Sequence, residues 1–420
     1  MSRPLDGLPG ARLGMCYLFT SLGFCVLFNV ATLLWYARFQ AFYFREPHIL
    51  GLTHLAALGW LTTGFMGIMY ATLPATLGLR PNSLRMAHVQ YWLQVIGVAG
   101  LVLTMSIMPN TRGRVVFGLL TLAALVVFAH NVAAIVGRGK VWRLPEAHFI
   151  MAAFYLAITG FIGVSYVFYL NADLVPLTMV HLKVHAYFAG LGWLALTLMG
   201  LTYKLLPLEL GVGQVPQRWG MAASVLMNLV FWGIFFSYAY DWPALRVASA
   251  VLGLIGMLCH ALQVWSFGHL ASSPTMGNGT RGGIPSVSLP YTLASSAFGL
   301  VAGLLALLLT TTVEGASLAV EYACAYAAGA GWFGLYVTGQ MVWLIPLLLR
   351  DEAHASVCEP GWMRQEFRTQ VAGTALVAIG LLAGLSLLIA LGAAVNLSAS
   401  LLLTIRSVRL CRAQPAMAEK

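Results

Sequence analysis

From Gln370 to Ile405 the chain runs for 36 residues without a charged side chain. A run of that kind can satisfy its backbone away from water only as helix. A single crossing of the hydrocarbon layer takes ~20 residues. Thirty-six are therefore too many for one helix and enough for two, with a tight reversal expected near Gly384–Ser386. Shorter apolar runs recur along the rest of the chain. The expected spans are Leu13–Ala37, Ile49–Leu73, Met86–Met108, Val115–Val136, Phe149–Leu170, Met179–Leu206, Gly220–Tyr240, Ala244–Phe267, Ser288–Thr312, Tyr322–Leu349, Phe367–Leu385 and Leu387–Val408. Composition agrees: 60% of the 420 residues are apolar and 9% charged, where a soluble domain carries ~25% charge. The chain lacks the polar surface to cover itself in water, so the lipid bilayer is its expected solvent.

Twelve spans put both termini on one side, and the basic residues choose which. Seventeen of the 23 Lys and Arg fall on the side of the termini and six on the other. The bias toward the cytoplasm in known membrane proteins makes the termini cytoplasmic, in a multi-pass protein of a bacterial-type inner membrane. The basic excess is thereby a collar along one face, and no nucleic-acid partner is implied. Met1–Arg12 shows no cleavable signal pattern, so the first span is expected to act as its own signal. The six cysteines form no CxxC pair, which speaks against a disulfide framework or a zinc site.

Within the spans a pattern repeats. Trp60, Trp193 and Trp332 are each followed by Gly at +7 (Gly67, Gly200, Gly339) and Pro at +14 (Pro74, Pro207, Pro346). Tyr70 and Tyr203 share +10, His48 and His181 share −12, and Arg85 and Arg218 both lie eleven residues beyond their Pro. Fixed offsets in three copies point to three four-helix units, approximately 1–140, 141–270 and 271–420, in which spans 2, 6 and 10 are equivalent.

Ionisable groups inside a membrane are costly and usually functional. The ten histidines sort into two layers. His48, His54, His181 and His185 lie at the outer ends of spans 2 and 6, as candidate metal ligands; His54, His181 and His185 are the candidate cofactor ligands. His181 and His185 stand four apart and share a helix face, and imidazole is a usual ligand for haem iron and copper. His88, His130, His148 and His260 form an inner layer, and with Tyr187, Tyr326 and Cys324 they are second-tier candidates. Hydrogen bonding between helices accounts equally for such residues.

Twelve helices in three four-helix arcs, with outer-side histidines on spans 2 and 6, resemble subunit I of the haem-copper oxidase superfamily, nearest to the cbb-type oxidases and nitric oxide reductases. Val180-His-Leu-Lys-Val-His185-Ala-Tyr187 looks like that family's helix carrying a copper-ligating histidine, and His54 corresponds to its low-spin haem ligand. The resemblance implies an all-α membrane fold, a b-type haem or copper near the periplasmic side, electron transfer or gas sensing, and respiratory or denitrification partners. The family's histidine pair on helix 7 and its two histidines on helix 10 are missing: Gly220–Tyr240 and Tyr322–Leu349 contain none. A complete oxygen-reducing centre, and so a stand-alone oxidase, is not expected. A second resemblance is to the NnrS family of twelve-helix haem- and copper-binding proteins linked to nitric oxide stress, with Pro47-His48 and Thr53-His54 as partial matches to its Trp-His-x-His-Glu run. A small-solute transporter is a third possibility. It fits poorly, because transporters are usually built from two halves rather than three.

Overall fold

The computed structural model describes residues 9–44, 46–108, 111–139, 142–172, 179–213, 215–272, 286–311, 318–349 and 360–413. Every regular element among them is helical. In chain order the long helices are α1 (Pro9–Leu34), α2 (Pro47–Leu77), α3 (Leu84–Ser106), α4 (Thr111–Gly137), α5 (Leu144–Ala172) and α6 (Met179–Tyr187, Phe188–Ala195 and Leu196–Leu210 in continuous sequence). They continue as α7 (Arg218–Ala239), α8 (Pro243–Ala271), α9 (Ser288–Thr311), α10 (Leu318–Leu348), α11 (Pro360–Ala383) and α12 (Ser386–Ala413).

Among the described residues eleven helices are long and apolar enough to cross a membrane. The expected eleventh span falls in α11, whose first turns carry Arg364, Glu366 and Arg368; this helix is not among the eleven. The reversal after it comes at Gly384, with φ +68°, a left-handed backbone that glycine adopts without a Cβ clash. The outer faces of the bundle are apolar: Val89, Trp92, Ile96 and Leu103 of α3 all project outward. A contiguous apolar exterior of this extent is what a lipid-facing surface requires.

Helices α2, α6 and α10 occupy the centre. Between 61 and 78% of the residues in their central windows are buried, against 28–50% in the other eight spans. All three contain an eight-residue π-helical segment, Leu55–Thr62, Phe188–Ala195 and Ala327–Gly334, and each segment begins five residues before its repeat Trp. Stretches of π-helix are rare and are usually single turns, so three of equal length at one register are a structural signature of the repeat positions. Carbonyls in two of the segments also accept from neighbouring helices. Ser21 of α1 donates to the Trp60 carbonyl at 2.7 Å, and Ser295 of α9 donates to that of Trp332 at 2.5 Å.

The glycine at +7 serves a close approach in every copy. A Cβ on Gly67 would meet that of Tyr17 at 2.9 Å, one on Gly200 that of His148 at 2.8 Å, and one on Gly339 that of Tyr291 closer still. Each central helix is thus seated on the first turns of its neighbour α1, α5 or α9. The seated residues in turn bond outward: Tyr17 to Gln90 of α3, His148 to Ser224 of α7 and Tyr291 to Glu366 of α11. These bonds lie toward the face at which α1 begins, called here the N-terminal face.

Candidate functional site

The central helices reach one another at their π segments. Trp193 donates its indole N–H to Thr62 Oγ1 at 2.9 Å, and its ring meets Phe65 edge-on. Just before each segment stands a polar ring in the same register: His54, Tyr187 and Tyr326. This third shared position is readable in the sequence six residues before each Trp, yet residue identity conceals it, because it is His in one copy and Tyr in two.

His54 on α2 and His185 on α6 lie within electrostatic reach of each other. The Nδ1–H of His54 is bonded to the Leu50 carbonyl at 2.8 Å. That bond fixes the tautomer and leaves Nε2 as the bare lone pair, the arrangement that metal-binding histidines commonly use. His185 is held from the other side by α5. Its Cε1 lies 3.1 Å from where a Cβ on Gly163 would stand, and its ring packs against Tyr166. His185 Nδ1 is buried without a hydrogen-bond partner; the Thr159 backbone is near but forms no well-aligned bond. A buried polar atom in that state calls for an explanation such as an ion or a water.

The other outer histidines stand apart from this pair. His48 belongs to a surface cluster in which Glu46 Oε1 binds both His48 Nδ1 and Arg38 Nη1 at 2.7 Å, with Trp35 against the imidazole edge. Burial raises the affinity of the Glu46 carboxylate for a proton. The bonds from His48 and the Ile49 N–H, helped by the Arg38 charge, outweigh it and hold the group below its ordinary range. Its other oxygen caps α2 through the Ile49 N–H at 3.0 Å. His181 lies on α6, and its side chain is outside the described residues.

The second-tier candidates separate as well. Tyr187 faces Tyr238 of α7 at 6.2 Å between ring centroids, with Cys324 of α10 within electrostatic reach. Cys324 is bonded to the Ala302 carbonyl. Tyr326 accepts from Asn396 at 3.1 Å. His88 and His130 are exposed on the bundle's outer surface. His148 and His260 are fully buried and joined through Tyr203, whose hydroxyl meets His260 Nδ1 at 3.0 Å and whose ring lies edge-on to His148. His148 has both nitrogens engaged, by the Leu144 carbonyl and the Ser224 hydroxyl. Among the described residues no group of three or more His, Cys, Asp or Glu is arranged to hold a metal ion. Among the described residues the candidate ligands are therefore the imidazoles of His54 and His185. Compared with known proteins, the chain matches no family model and no curated sequence.

Proposed function

We propose that the protein is a membrane-embedded metal-binding protein in which His54 and His185 together hold a b-type haem iron or a copper ion, for electron transfer or the sensing of a diatomic gas. The observation that carries this reading is the pairing itself. Two half-buried imidazoles from equivalent central helices lie within electrostatic reach of each other, one with its Nδ1–H bonded to a carbonyl and the other with a buried Nδ1 lacking a partner. The donor type fits: the imidazoles of His54 and His185 would suit a haem iron or a copper ion. When bound, such a centre supplies one-electron chemistry or a binding position for a gas. The chain's part is to orient the rings, His54 through the Leu50 carbonyl and His185 through the Gly163 and Tyr166 surface.

In this reading α11 is the twelfth crossing, the three units form arcs like those of haem-copper oxidase subunit I, the N-terminal face is cytoplasmic, and the pair sits toward the periplasm. Since α7 and α10 contribute no histidine, dioxygen reduction at a second metal is not proposed.

The test is a purification from haem- and copper-replete cells, followed by reduced-minus-oxidised spectra, pyridine haemochrome and metal analysis. The expected result is one equivalent of haem or copper in the wild type and its loss in both His54→Ala and His185→Ala, with His148→Ala unaffected. A colourless, copper-free wild type overturns the proposal.

A further inference from the structure

The end of the α11–α12 hairpin at the N-terminal face gathers more positive charge than its own acid neutralises. The two helices run antiparallel in close contact: a Cβ on Gly373 would meet Asn396, and one on Gly380 would meet Ile389. That register brings Arg364 and Arg368 of α11 to the same end as Arg406, Arg409 and Arg412 of α12. The acid between them, Glu366, is only 4% exposed; it is bonded by the Tyr291 hydroxyl at 3.4 Å and lies 4.0 Å from Arg406 Nη1. Its inward position leaves the outer surface basic. Among the described residues Arg368, Arg409 and Arg412 have no hydrogen-bond or ion-pair partner. Other basic groups of this face are engaged: Lys204 by Glu146, Arg138 by the Arg80 carbonyl at 2.8 Å, and Arg218 by the Trp219 ring.

A pocket of about 340 Å³ opens on the basic surface, lined by Gly361, Arg364, Gln365, Arg368 and Thr369 of α11. Arg364 and Arg368 stand four apart and so share one helix face. The surroundings mark the edge of a lipid-facing surface. Helix α12 is among the eleven long and apolar enough to cross a membrane, and its exposed Leu401 and Ile405 give way to Arg409 and Arg412. On α11 the exposed Ile379 and Ala372 lead up to Arg368 and Arg364, with Trp362, 53% exposed, just beyond. Tryptophan at such a boundary is the usual anchor at the level of lipid headgroups.

We propose that this pocket binds an anionic phospholipid, with the headgroup phosphate held by Arg364 and Arg368 and an acyl chain laid along Ala372 and Ile379. Guanidinium groups match phosphate oxygens through paired hydrogen bonds, and a cluster of four to eight basic residues at the end of a span is the pattern that recruits anionic lipid. Free phosphate shares the headgroup chemistry but gains nothing from the apolar strip beneath it. Bound lipid offsets the repulsion among the five arginines. The site is independent of the His54–His185 reading.

The test titrates the full chain, purified in detergent, with phosphatidylglycerol or phosphatidylcholine and counts bound lipid by native mass spectrometry. Each arginine at a lipid surface strengthens the binding of an anionic lipid about fivefold, so phosphatidylglycerol is expected to bind roughly tenfold or more tightly than phosphatidylcholine. Arg364→Gln combined with Arg368→Gln is expected to remove that preference, and Arg368→Gln alone to cut it about fivefold. Arg138→Gln combined with Arg218→Gln, the same change of charge on the same face, is expected to leave it intact. Equal affinity of the wild type for the two lipids overturns the proposal. An equal loss in the Arg138 and Arg218 pair does so too, because the preference then belongs to the whole collar. Displacement of the bound phosphatidylglycerol by inorganic phosphate overturns the assignment to a lipid.

Discussion

Replacing Gly200 by Ala sets two known effects against each other, and the structure decides which wins. In a helix interior Ala is favoured over Gly by ~1 kcal/mol. At Gly200, however, the new methyl would stand 2.8 Å from His148 Cβ and 2.8 Å from Phe149 Cε1. The first is a backbone-anchored atom that cannot swing away. The second belongs to a ring with no exposure. Forcing a methyl into a packed interior costs ~1–3 kcal/mol. The net loss worked from these terms is ~0–2 kcal/mol, up to a factor of roughly 30 in the unfolding equilibrium, and the expected gap from a variant without the clash is the full ~1–3 kcal/mol. Gly23 of α1 has no atom within 4 Å of its missing Cβ, so Gly23→Ala carries the helix-propensity gain alone and is expected to be neutral or stabilising by up to ~1 kcal/mol. Equilibrium unfolding of both variants in mixed detergent micelles, monitored by Trp fluorescence, measures the difference. A Gly200→Ala protein as stable as Gly23→Ala would refute the claim that the +7 glycine exists to seat one helix on the next.

Two further expectations concern charge. Because the Glu46 carboxyl is held below its ordinary range, its contribution to stability is complete above the unfolded value of ~4.3 and disappears as pH falls through the lower folded value; acid titration of stability should therefore show a step below about pH 4 in the wild type that Glu46→Gln lacks, and an identical profile in the two would count against the cluster. Lys204 lies 2.6 Å from Glu146, a carboxylate only 2% exposed, so Lys204→Met should destabilise by ~3–5 kcal/mol by stranding that charge, and the double variant with Glu146→Gln should recover most of the loss in the same unfolding assay; a double variant no better than the single one would show that packing, not charge, is at stake.

Much of the scaffold is legible before any coordinates. Apolar runs of membrane-spanning length announce the helices, and the Gly384 reversal is visible because a 36-residue uncharged stretch needs one and glycine suits it. The offsets of Trp, Gly and Pro mark the three central helices. What the sequence hides is mostly contact between helices. Tyr17, His148 and Tyr291 occupy matching seats, but the spacings between them differ from those between the tryptophans, since each unit's connecting loop has its own length. Two of these three are tyrosines and escape a search confined to histidines. The placement of His185 depends on its contact with Gly163 of another helix, which no local pattern relates to it. Glu366 is hidden for another reason: beside Arg364 and Arg368 it reads as part of a solvated collar, while in the fold it turns inward.

The widened segments in α2, α6 and α10 also alter how these helices must be mapped. With bonds running from i to i+5 rather than i to i+4, each residue turns the helix through a smaller angle, so a wheel projected from one end loses phase on passing Leu55–Thr62, Phe188–Ala195 or Ala327–Gly334. Each central helix is in effect two rods of independent azimuth spliced end to end. His54 and Tyr70 therefore cannot be assigned to common or opposite sides by counting, and excision of a single residue inside a splice would rotate one rod against the other while leaving both intact.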